Sequence, residues 1–138
     1  MPTTREFTVE MEDRPGTIGT LCRALGDRGV NILGFQASSC ERRTEVRLVV
    51  DNPAAAASAF DAEGLAHTEA EVAQVTLPHR PGELARAASR LGEANININY
   101  AYFGLEPATN VPLIFFGVTA VGRAAKILDQ AAAAAAGT

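Results

Sequence analysis

Residues 14–32 read Arg14-Pro15-Gly16-Thr17-Ile18-Gly19-Thr20-Leu21-Cys22-Arg23-Ala24-Leu25-Gly26-Asp27-Arg28-Gly29-Val30-Asn31-Ile32. The same frame returns at 80–98, opening on Arg80-Pro81-Gly82, passing Leu91-Gly92 and closing on Asn97-Ile98. The offset is 66 residues without a gap, and 7 of 19 positions are identical. Chance at average composition gives about one. A fixed period of this length marks a duplicated structural unit.

Each copy is expected to begin with a strand. Phe7, Val9 and Met11 alternate along the first, and Ala73–Leu77 is its counterpart. A Pro-Gly turn follows, with Pro15 and Pro81 suited to the first helical turn, where no backbone donor is needed. Ile18, Leu21, Cys22 and Leu25 then recur at i, i+3, i+4 and i+7, and Leu84, Ala87, Ala88 and Leu91 match them. This predicts a helix with one apolar stripe in each copy.

Further strands are expected at Val30–Phe35, Glu45–Val50, Ile96–Tyr102 and Leu113–Val118, with a turn near Cys40–Arg43. Asp51-Asn52-Pro53 announces the next helix. A short strand around Leu65–Glu71 closes the first copy. The unit is therefore β-α-β-β-α-β, the split βαβ or ferredoxin-like arrangement, and the fold class is α+β with antiparallel sheets and helices on one face. Two units are expected, 1–71 and 72–138. The second departs from the pattern: after Gln130 come six alanines, Gly137 and Thr138, so its last helix extends and its last strand is missing.

The 138 residues are 47% apolar and 20% charged, which excludes a globally disordered chain. A net charge of −4 without a basic stripe argues against nucleic acid as a partner. No apolar run approaches the roughly 20 residues that span a bilayer, and no signal peptide is apparent, so no membrane partner and a cytoplasmic location are expected. Cys22 and Cys40 read as small core residues in a reducing compartment. The two histidines, His67 and His79, have no nucleophile at signature spacing, and His67 reads as a solvated side chain. Without a catalytic elbow, metal-ligand spacing or a phosphate loop, neither enzyme activity, a metal nor a cofactor is expected.

Anion recognition is the better-supported chemistry. Arg-Pro-Gly lies between a strand end and a helix start, where free N–H groups and the helix dipole favour a carboxylate. Asn31 and Asn97 open the following strands and can hold either a carboxylate or an ammonium group. The bland reading is that the glycines only shape turns and the asparagines brace the helix exits.

Asp-Arg-Pro-Gly, the amphipathic helix, Leu-Gly-Asp-Arg-Gly and Val-Asn-Ile resemble the ACT domain, and His-Arg-Pro-Gly to Ala-Asn-Ile-Asn-Ile resembles a second. The resemblance covers 5–130. It implies a tandem ACT protein that binds a small molecule, an amino acid, at the interface between units and regulates amino-acid metabolism without catalysis. Paired units imply a homodimer, and regulation implies a partner enzyme. The alternative is an interaction module that assembles with a biosynthetic enzyme and binds no ligand. Carried onto this chain, the ligand-binding residues are Asp13, Arg14, Gly16, Asn31 and Ile32 in copy one, and His79, Arg80, Gly82, Asn97 and Ile98 in copy two. The copies differ: Asp13 favours an ammonium group, whereas Gly34 of copy one is Tyr100 in copy two. The Asp13 set is expected to be the better binder.

Overall fold

The computed structural model describes residues 3–137. The elements run β1 (Thr3–Glu12), α1 (Thr17–Asp27), β2 (Ile32–Cys40), β3 (Arg43–Val50), α2 (Pro53–Ala62), β4 (His67–Thr76), α3 (Glu83–Glu93), β5 (Tyr100–Leu105), β6 (Pro112–Gly117) and α4 (Val121–Ala136). The chain is α+β and divides into two compact units, Arg5–Ala70 and, with Thr3 and Thr4 among its members, Glu71 onward.

In the first unit β3 lies between β1 and β2, antiparallel to both. Phe7 faces Leu48 and Val9 faces Val46, so the period-two apolar face of β1 meets that of β3. β2 and β3 join through a two-residue turn, Glu41-Arg42, with both φ positive (52° and 69°). Such a turn follows the natural twist of the paired strands. Phe7, Val9, Leu21, Leu25, Leu48 and Phe60 form this unit's core. The Phe7 and Phe60 rings meet edge-to-face at 5.2 Å. The chain entering β4 and the start of that strand accompany β1: Glu10 N–H donates to the carbonyl of Ala66, just before β4, and Arg5 pairs with Glu69 at 3.6 Å.

The second unit repeats the strand order. β6 lies between β4 and β5, antiparallel to both. Its core joins Val75, Leu91, Ile114, Phe116 and Leu128.

The two helix exits show why the sequences diverge without changing the path. Val30 N–H donates to Leu25 O at 3.0 Å, and Ile96 N–H to Leu91 O at 2.9 Å. The left-handed residue before each is Gly29 (φ 70°) in one copy and Asn95 (φ 59°) in the other. Asparagine is among the few side chains that occupy this region readily.

Several expectations are corrected. The strands expected at Leu65–Glu71 and Ala73–Leu77 are one continuous strand, β4. Residues 96–99 precede β5 rather than belonging to it, although Asn99 N–H still reaches Gly117 O. Pro15 and Pro81 lie outside the helices, whose N-caps are Gly16 and Gly82. Ile18 and Leu84 are 37% and 40% exposed. The most buried line on each helix runs i, i+4, i+8, through Thr17, Leu21 and Leu25 and through Glu83, Ala87 and Leu91, which leaves the residue after its first member at the margin. His67 is half-buried rather than solvated, its ring 5.3 Å from Phe60 and 5.9 Å from Phe7, and its Nδ1 lies 3.2 Å from Leu65 O. Cys40 is exposed at the hairpin, not a core residue; Cys22 is half-buried, and burial pushes its thiol above the ordinary value.

α2 begins as its cap signal requires: Asn52 Oδ1 accepts from Ala55 N–H at 3.2 Å, with Pro53 at the first helical position. α4 runs through the alanines to Ala136, and no strand follows it among the described residues.

Candidate functional site

The Arg-Pro-Gly turns are alike in both copies. Gly16 and Gly82 adopt φ of 91° and 87°, a left-handed conformation that side chains resist. Neither N-cap offers a side chain to the first helical turn. The N–H groups there are consequently less satisfied than at α2, where Asn52 supplies the acceptor.

In copy one, Asp13 Oδ1 accepts from the Thr44 hydroxyl at 3.1 Å, and Asp13 N–H donates to Arg42 O. Arg14 turns onto Glu12, with Nε donating to Oε2 at 2.7 Å. Asn31 is held by its backbone: its N–H donates to Asp51 Oδ1 at 2.9 Å and its carbonyl accepts from Asp51 N–H at 3.0 Å. This fixes the exit of α1 to the end of β3 and leaves the exposed Asn31 amide clear of both bonds. Ile32 is half-buried against the first core. Asp13 is thus tied to Thr44 and Asn31 to Asp51, not to one another.

In copy two, His79 and Gly82 are exposed. Asn97 spends a side-chain donor on its neighbour, Nδ2 donating to Asn99 Oδ1 at 3.1 Å. Ile98 is half-buried against the second core. Arg80 donates from Nε to Glu83 Oε1 at 3.0 Å and from Nη2 to Ala135 O at 3.2 Å.

Each unit contains a cavity beside its Arg-Pro-Gly turn. The first encloses about 450 Å³ and is lined by Arg14, Thr17, Thr20, Met11, Leu21 and Leu65, among others. The second encloses about 400 Å³. Its Arg80, Glu83, Arg86, Leu77, Ala87 and Ala131 stand 66 residues beyond those six. The two cavities therefore occupy the same place in the repeat. Of the ten expected ligand residues, Arg14 and Arg80 line them; Asp13, Gly16, Asn31, Ile32 and their counterparts do not.

The sequence reading missed Glu83. Its residue exposure is 3%, and both Arg80 and Arg86 donate to its Oε1. The hydrogen bond from Arg80, with both arginine charges, holds this carboxyl below the usual carboxylate range. The signal was present: Glu83 stands four residues before Ala87 on the buried line, with arginines at i−3 and i+3 to neutralise it.

Residues 6–57, about four fifths of the first unit, match the family model described as ACT domain. That stretch is similar to an ACT domain. No curated protein matches the sequence. Among solved structures, protein BT0572 from Bacteroides thetaiotaomicron is similar at a TM-score of 0.82 and 18% identity, over 94% of this chain and 88% of that one. The ligand-free regulatory subunit of aspartate kinase from Thermus thermophilus is similar at 0.64 and 18%, over 94% and 92%. The regulatory subunit of aspartate kinase from Thermus flavus follows at 0.58 and 14%, over 95% and 93%. At these identities the ACT-like α+β fold is what is shared. No group of three or more His, Cys, Asp or Glu residues suited to a metal occurs among the described residues. No helix there is long and apolar enough to cross a membrane.

Proposed function

We propose that this chain is a non-catalytic regulatory protein that binds an amino acid and acts in the control of amino-acid metabolism. In this reading it is a cytoplasmic tandem pair of ferredoxin-like ACT units, 1–71 and 72–138, the second without its last strand. It works as a homodimer, passes its state to a partner enzyme, and binds its ligand at the interface between units.

The carrying observation is the first turn of α1, whose left-handed Gly16 cap brings no side chain to the N–H groups. A ligand carboxylate is a natural acceptor for them. Asp13 stands three residues before that cap and carries the charge an ammonium group requires. The Asn31 amide remains for ligand, whereas Asn97 is engaged with Asn99. This supports unequal sites, with the Asp13 set the stronger. Resemblance to aspartate kinase regulatory subunits is consistent with a regulatory role.

A thermal-shift screen of the twenty amino acids tests the reading. A ligand at about ten times its Kd adds about 1.4 kcal/mol, and raises the melting temperature by about 5 °C. Calorimetry should then find binding lost in Asn31→Ala and retained in Asn97→Ala. Equal losses in both would reject the unequal sites, and silence across all twenty would reject amino-acid binding.

A further inference from the structure

We propose that the cavity between α3 and α4 is a binding site for a compact, multiply charged oxyanion, of the phosphate monoester or dicarboxylate kind. The inference rests on the second unit alone and is independent of the amino-acid reading.

Three arginines line this cavity, Arg80, Arg86 and Arg90, against a single carboxylate, Glu83. The lining carries a net charge of +2 inside a chain of net charge −4. The equivalent cavity of the first unit is the internal control. It sets Glu10, Glu12 and Glu63 against Arg14 and Arg43, for a net −1. Thr17, Thr20 and Ala24 stand there where Glu83, Arg86 and Arg90 stand in the second unit. Both copies have the concavity, and only the second is basic.

Two of the three guanidinium groups, those of Arg80 and Arg86, are held in place before any ligand arrives. Glu83, 3% exposed, draws Arg80 and Arg86 together on one oxygen. Arg80 also donates to Ala135 O near the end of α4, which neutralises the negative end of that helix. Two donors therefore satisfy the buried carboxylate, and Arg90 is surplus to it. Arg90 forms no ion pair among the described residues. Each guanidinium carries five N–H donors in a planar fork that fits phosphate or carboxylate oxygens bidentately. The opposite wall is Ala131, Ala134 and Ala135, which bring no side-chain charge to compete. A purely structural clasp would need Arg80 and Glu83; it would not need Arg90.

The test is calorimetric titration of the full chain with inorganic phosphate and, separately, with succinate. Saturable binding of at least one is expected, weakened about tenfold or more in the Arg86→Ala/Arg90→Ala double variant. Arg43→Ala, in the first unit, should bind as the unaltered protein does. Both altered side chains are largely exposed, and a thermal melt checks that the double variant folds. Should it not, Arg90→Gln alone must weaken binding by about threefold or more. Preference for phosphate assigns a phosphate monoester, and preference for succinate assigns a dicarboxylate. Absence of saturable binding of either up to about 20 mM, or binding untouched by these substitutions, overturns the proposal.

Discussion

At the scale of single residues, some pairs of neighbouring positions differ together between the two copies. Copy one has Gly34 in its second strand and Asp51 after its third, and Asp51 anchors the Asn31 backbone. Copy two has Tyr100 and Gly117 at the corresponding positions. Tyr100 and Gly117 are cross-strand partners, and the ring lies where a side chain at 117 would stand. A Cβ there would fall 2.2 Å from Tyr100 Cε2 and Cζ, far inside contact distance. The Tyr100 ring in this position therefore requires the glycine. Gly117→Ala should destabilise the protein by about 1–3 kcal/mol through forced repacking. Adding Tyr100→Ala should recover part of that loss, so the double variant costs less than the sum of the singles. Denaturant melts of the three variants measure this, and simple additivity would mean the ring is not the obstacle.

At the scale of elements, the helices following each Arg-Pro-Gly turn show what pattern reading reaches. Leu21, Leu25, Ala87 and Leu91 were legible because their spacing repeats the helical period. Glu83 was not, because a polar residue in a first turn reads as solvated unless its partners are weighed with it. The glycine turns were legible, but the engagement of Asn97 with Asn99 required geometry. Glu83 also makes a pH prediction. Its carboxyl titrates below its unfolded value, so its contribution to stability is full above about pH 4.5 and is lost as pH falls through the lower folded value. Glu83→Gln should therefore be less stable than the unaltered protein at pH 7. The gap between them should close as the pH falls from about 4.5 through the lower folded value, because the unaltered protein loses its ion pairs there and the variant has none to lose. Melting temperatures of both proteins across pH 7 to 3 check this. A constant gap would show that charge is not what Glu83 contributes.

For the whole molecule, the 66-residue period was visible in the sequence, yet the join between copies was misread as two strands. The polar run Glu69-Ala70-Glu71 separates two apolar stretches and looks like a turn, but the backbone stays extended through it from His67 to Thr76. One strand thus serves as the last of the first unit and the first of the second. Neither unit can lose β4 without removing a strand that the other also uses. Each would also be marginal by size alone, at about 66 residues. The full chain should consequently unfold in a single transition despite having two cores. At average specific values, 138 residues correspond to an unfolding enthalpy of about 95 kcal/mol near 60 °C. Calorimetry should return that figure both from the area of the transition and from its steepness, because agreement of the two marks a two-state process. A van't Hoff enthalpy near half the calorimetric value would instead mean that the units melt separately and that β4 does not couple them.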